Sequence, residues 1–251
     1  MDEQFVQVSE ECDPGVMSIT TTDLHPGVHV LPAKGPTRAV VLVLHGGKAD
    51  SYERSEPKHL SSRRMNPFTR AVHRRGAEHG VAVWKVRYRV RGWNGPERSP
   101  AQDAQWALDE VRRRHGDVPV VLLGHSMGGR AAVHVLGDPS VIGMVALCPW
   151  LPREPVDVAR DRRVVIAHGV IDRWTSPRET REWADAARPL AESVTYVRVR
   201  RTGHFMLRRA GLWSDLATGF TLSWLGLHPS VGRAATNVLS EAAAGATTLT
   251  V

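Results

Sequence analysis

Gly124-His125-Ser126-Met127-Gly128 follows the apolar run Val118 to Leu123 and precedes Arg130 to Leu136, a segment of helical character. The pattern is G-x-S-x-G in a strand–turn–helix setting, which makes Ser126 a nucleophile candidate. Glycines flank such a serine because the neighbouring backbone crowds a sharp turn. The turn holds the hydroxyl over a helix N-terminus and leaves the Met127 N–H free to face a developing oxyanion. A second glycine-rich turn, Leu44-His45-Gly46-Gly47-Lys48, also ends an apolar run and supplies a second backbone donor, with Gly47 the first choice and Lys48 the alternative. His45 itself reads as a brace that hydrogen-bonds the loop.

A serine hydroxyl is a poor nucleophile at neutral pH and needs a base, which in turn needs an orienting acid. Of the 12 histidines, His204 in Arg201-Thr202-Gly203-His204-Phe205 lies on a loop between the last strand-like run and a helical segment, where a base must lie. His73, His79, His115 and His134 fall within or at the ends of helices, and His168 reads as a structural brace. Asp172, in Ala167-His168-Gly169-Val170-Ile171-Asp172, sits on a loop between nucleophile and base, and gives the chain order serine, acid, histidine. Asp157 and Asp161 on the preceding loop compete for the acid role.

These residues need a scaffold that ends several strands side by side. Near-continuous apolar runs at 39–44, 81–86, 118–123, 141–147 and 164–167 read as strands buried on both faces of a parallel sheet, and 193–199 as an outer strand. Helix starts are signalled at Asn66-Pro67, Ser99-Pro100 and Ser176-Pro177, and a last amphipathic helix is expected over 205–225. Alternation of strand and helix implies an open, mostly parallel α/β sheet with right-handed crossovers. The expected organisation is an extension over 1–37 with edge strands, one domain over 38–228, and a tail over 229–251, disordered or a loose helix.

The chain has 251 residues and a net charge of +7, with only four lysines among its 33 basic residues. The excess of arginine reads as compositional bias, and Arg112-Arg113-Arg114 complements a helix C-terminus rather than a nucleic acid. Two cysteines, Cys12 and Cys148, build neither a disulfide framework nor a zinc site. No secretory signal and no run of about 20 apolar residues is visible, so the sequence reads as that of a cytoplasmic protein without a membrane span.

With the HGG loop, the GHSMGG elbow, the HGVIDRWTSP loop and the TGHF loop in this order, the chain resembles the α/β-hydrolase superfamily over roughly residues 38 to 227. The acid loop is similar to that of compact dienelactone-hydrolase-like and esterase-like members. The resemblance implies a Ser126–His204–Asp172 triad, Met127 and Gly47 amides as oxyanion donors, and no metal or organic cofactor. Only Cys148 to Arg163 fill the gap in which capped members insert a domain, so no cap is expected.

The expected function is hydrolysis of a small-molecule carboxylic ester through an acyl-enzyme. A thioesterase, a lactonase or an acyltransferase or cyclase of secondary metabolism shares the same chemistry, and a non-catalytic binding module on this fold is the reading from another class. Trp93, Trp150, Trp174 and Phe205 fall on loops at the catalytic edge and are expected to wall an apolar pocket. Arg89, Arg91 and Arg173 on the same loops are candidates for an anionic group on the substrate.

Overall fold

A computed structural model describes residues 5–6 and 24–251. Their strands form one sheet of nine: β1 (Phe5–Val6), β2 (Gly27–Leu31), β3 (Ala39–Leu44), β4 (Val81–Arg87), β5 (Val120–His125), β6 (Val141–Leu147), β7 (Arg163–Gly169), β8 (Ser193–Val199) and β9 (Thr248–Thr250). The spatial order is β1-β2-β4-β3-β5-β6-β7-β8-β9. Only β1 and β2 run antiparallel to their neighbours; the remaining pairs are parallel, as the unbroken apolar runs require.

The helices are α1 (Leu60–Arg63), α2 (Asn66–Gly76), α3 (Ser99–His115), α4 (Met127–Val135), α5 (Pro177–Ala187), α6 (Ala210–Ser223) and α7 (Arg233–Ala243). Strand alternation sorts the core into two layers. Val40, Leu42 and Leu44 face Leu108 of α3, Ala131 of α4 and Trp183 of α5. Ala39, Val41 and Val43 face Phe68 of α2, Trp213 of α6 and Val238 of α7. Both faces of the sheet are therefore covered, and the span from Cys148 to Arg162 holds one short 3-10 turn and no cap domain.

The segment boundaries differ from expectation at three places. The helix expected over 205–225 starts only at Ala210, because Arg209 takes a left-handed conformation (φ 57°), which leaves 200–209 as one long loop. Asn66 does not cap α2; its side-chain oxygen accepts instead from Lys85 Nζ at 2.6 Å. Residues 229–251, expected to be disordered or a loose helix, form α7 and then β9, which extends the sheet beyond β8. Within the extension expected over 1–37, β2 pairs antiparallel with β4, while Cys12 lies outside the described residues.

The topology sets up the site. From β3 the chain moves outward to β4 on one side, then returns to β5 on the other, so loops leaving the C-terminal ends of β3 and β5 diverge and open a crevice between them. Leu44 and Gly124 are paired in register, which brings the HGG turn and the serine turn out side by side.

Candidate active site

Ser126 joins β5 to α4 with φ 56° and ψ −122°, a strained conformation for a residue with a side chain. Close approach of the β3 loop explains its neighbour: a Cβ on Gly128 would collide with the carbonyls of Leu44 and His45. Ser126 is thereby fixed at the head of α4, where Met127 is the first helical residue and its N–H has no acceptor within the helix.

His204 reaches both partners. The Ser126 hydroxyl donates to His204 Nε2 at 3.0 Å, and His204 Nδ1–H donates to Asp172 Oδ2 at 2.9 Å. Asp172 is held from all sides. Its Oδ1 accepts from the amides of Trp174 (2.8 Å) and Thr175 (3.1 Å), and its Oδ2 also accepts from the Thr175 hydroxyl (3.1 Å) and His168 Nε2 (3.2 Å). Burial opposes the charge, yet hydrogen bonds from His168, His204 and these amides outweigh it and hold the carboxyl well below the ordinary carboxylate range. The competing Asp157 opens the 3-10 turn, and Asp161 lines a cleft at the opposite edge of the sheet.

Three histidines brace this chain. His168 gives its Nε2 proton to Asp172 and leaves Nδ1 to accept from Thr180 Oγ1 at 2.9 Å. His125, the residue before the serine, donates from Nε2 to the His204 carbonyl at 3.0 Å and lies 4.9 Å from its ring. Burial lowers its pKa to about 3, so the ring is neutral. His45 donates from Nδ1 to the Gly46 carbonyl at 2.7 Å, and burial lowers its pKa to about 4. In a trans peptide the carbonyl and the next N–H point oppositely, so pinning Gly46 O on His45 turns the Gly47 N–H away from His45. The Lys48 amide is already taken by the Arg91 carbonyl at 2.9 Å, which leaves Gly47 as the donor candidate of this turn.

The four aromatic candidates divide into two pairs. Trp174 and Phe205 flank His204, with ring centroids 6.4 and 5.4 Å from the imidazole and 5.3 Å from each other. Trp93 and Trp150 instead clamp the Arg130 guanidinium at 4.0 and 4.4 Å, in a neighbouring cleft of about 570 Å³ where Arg130 pairs with Glu154 at 2.6 Å. Of the arginines, Arg89 is bound to the buried Asp103 and Arg91 to Glu53, whereas Arg173 is exposed. Sequence reasoning passed over His125 and Thr175. A polar residue flanking the nucleophile, and a hydroxyl three residues after the acid, were the signals available.

Cys148, His168 and Asp172 bring their side-chain ligand atoms within 4.8 Å of one another. The carboxylate is already committed to five donors, so these residues form a hydrogen-bonded cluster that fits no resident metal.

A family model described as the alpha/beta hydrolase family matches residues 40–239. No curated protein matches the chain in sequence. Among solved structures it is similar to a serine hydrolase without lid from Xanthomonas campestris (TM-score 0.60, 16% identity, covering 81% of this chain and 91% of that one). It is also similar to Est1E from Butyrivibrio proteoclasticus, solved with ferulic acid (0.62, 13%, 84% and 100%). A third is an alpha-beta serine hydrolase homologue from Coxiella burnetii (0.59, 16%, 77% and 90%). These likenesses concern the fold; the family match over most of the chain, joined to the serine turn and the sheet order, establishes that the chain belongs to the alpha/beta hydrolase family.

Proposed function

We propose that the protein hydrolyses carboxylic esters through an acyl-serine intermediate on Ser126. The reading is carried by the unbroken chain from Ser126 Oγ to His204 Nε2, and from His204 Nδ1 to Asp172 Oδ2, at 3.0 and 2.9 Å. Ser126 Oγ attacks the acyl carbon while His204 Nε2 takes its proton. Charge developing on the carbonyl oxygen is met by the amides of Met127 and Gly47. His204 then protonates the departing alkoxide, leaving the acyl group on Ser126. A water molecule, deprotonated by His204, releases the acid and restores the serine. Asp172 fixes the imidazole tautomer and balances the imidazolium charge; its five donors keep it ionised and oriented.

Trp174 and Phe205 beside His204 favour an apolar or aromatic group on the substrate. Est1E, similar in fold, holds ferulic acid, an aromatic acid, which is consistent with that preference. The same steps cleave a thioester or a lactone, so competition between ester, thioester and lactone substrates defines the leaving group. A fluorophosphonate probe tests the mechanism: wild type is expected to be labelled, and Ser126→Ala to lose both labelling and about 10⁴-fold or more in kcat. Equal labelling of the two, or none of a folded wild type, would defeat it.

A further inference from the structure

Every large apolar side chain that the described residues leave exposed lies at the catalytic edge of the sheet. Tyr52 and Leu60 follow β3, Val170, Ile171 and Trp174 follow β7, and Phe205 and Leu207 follow β8. Scattered exposed apolar residues are ordinary, but their confinement to one edge marks an interaction face. Trp174 and Leu207 are 73% and 77% exposed, so both project well into solvent.

Five of these side chains belong to two loops joined to each other. The Val170 amide donates to the Val199 carbonyl (3.0 Å), the Ile171 amide to the Thr202 carbonyl (3.1 Å), and the Trp174 and Phe205 rings pack together. The same loops are strongly basic. Residues 200–209 carry Arg200, Arg201, Arg208 and Arg209 and no acid, and residues 170–176 carry Arg173, with the buried Asp172 as their acid. All five of these arginines are exposed. Arg64 lies over the Phe205 ring at 4.7 Å and donates to the Phe205 carbonyl.

We propose that the loops after β7 and β8 form a docking face that seats the catalytic end of the sheet on an anionic lipid surface. On the reading of Ser126 as an esterase nucleophile, the substrate is then an amphiphilic ester held in that surface. Tryptophan, phenylalanine and leucine projecting among arginines are the composition that inserts at a lipid interface. Each arginine brought close to an anionic surface strengthens partition about fivefold. Protruding side chains enter a compliant acyl layer directly, whereas a folded acidic partner would need pockets matched to each of them. The face surrounds His204, so docking would deliver the ester to Ser126 without a lid.

The test is co-sedimentation of full-length Ser126→Ala protein with vesicles of phosphatidylcholine alone, or of phosphatidylcholine mixed equally with phosphatidylglycerol. Binding is expected on the mixed vesicles and not on the neutral ones. It should weaken about thirtyfold in the added double variant Arg208→Gln/Arg209→Gln, and about tenfold in Leu207→Ser. In the Ser126 background, both variants should hydrolyse a water-soluble acetate ester like wild type, which shows that they fold. Absence of binding, equal binding to both vesicle types, or unchanged binding of the variants would overturn the docking face. So would retention on an acidic carrier protein without vesicle binding, or a dimer lost in Leu207→Ser while vesicles are ignored. Vesicle binding without labelling of Ser126 in wild type would support the face and remove the ester from the proposal.

Discussion

At the scale of the residue, the site is a set of acceptors and donors with few alternatives open to them. Thr175 places its hydroxyl within 3.1 Å of Asp172 Oδ2 and 3.2 Å of His204 Nδ1, so it braces both side chains at once. Gly47 is an exacting position. A Cβ there would collide with the Arg91 carbonyl and the Met127 side chain, both fixed by surrounding structure. Gly47→Ala must therefore move the peptide whose N–H is assigned to the oxyanion. Loss of one such donor costs about 100-fold to 1,000-fold in kcat, and the change is expected to fall on kcat with little effect on KM for a short ester. Steady-state kinetics check this; wild-type kcat in the Gly47→Ala variant would remove Gly47 from the mechanism.

At the scale of the element, much of the positioning was legible in the sequence. The run 39–44 coincides with β3 and 141–147 with β6, because strands buried on both faces leave uninterrupted apolar stretches, and the looser pattern over 193–199, read as an outer strand, coincides with β8. Ser176 caps α5 by accepting from the Glu179 amide at 3.1 Å, as its place before Pro177 suggests. Less visible was the C-terminal segment, whose apolar weight is spread over small or isolated residues. Ala235 and Val238 of α7 are nonetheless buried, Leu239 packs against Gly219 of α6, and Leu249 closes the core beyond β8. Arg198, near the end of β8, accepts from the Val251 amide, and Arg200, at the start of the His204 loop, donates its amide to the Val251 carbonyl. Deleting 229–251 should thus expose the outer face of α6 and leave the outer edge of β8 unpaired, a loss on the order of 5 kcal/mol from the apolar burial of Val238, Leu239 and Leu249. Urea denaturation measures it, and a truncated protein with the full-length midpoint would contradict this account of the tail.

At the scale of the whole molecule, the charge and the buried histidines divide the work. The net charge of +7 points, at first, to a dispersed surplus of arginine. The structure ties many of those arginines into ion pairs, such as Arg112 with Asp138 and Arg163 with Glu192, and concentrates others on the loops beside His204. No described helix is long and apolar enough to cross a membrane. What periodicity and spacing left unresolved was three-dimensional: which histidine leans on which, and which aromatic residues turn toward His204 rather than Arg130. Those depend on packing between loops far apart in sequence. The histidines also set how stability answers to pH. His45 and His125 are neutral in the folded protein, with pKa values lowered from 6.5 to about 4 and about 3 by burial. As pH falls below 6.5, each takes a proton in the unfolded chain but not in the folded one, so the unfolded state gains. Stability conferred by their neutral burial is complete above that value and declines toward pH 4, by about 1.4 kcal/mol per pH unit for each histidine. The depressed Asp172 carboxyl acts in a separate, more acidic range, since its contribution is lost only below the ordinary carboxylate pKa. Unfolding free energies between about pH 7 and about pH 5 should therefore fall steeply in wild type, and His125→Asn should flatten the slope by about one histidine's share. A wild-type slope near zero, or an unchanged slope in the variant, would mean that these rings take up protons without unfolding and that His125 does not hold the His204 loop as a neutral donor.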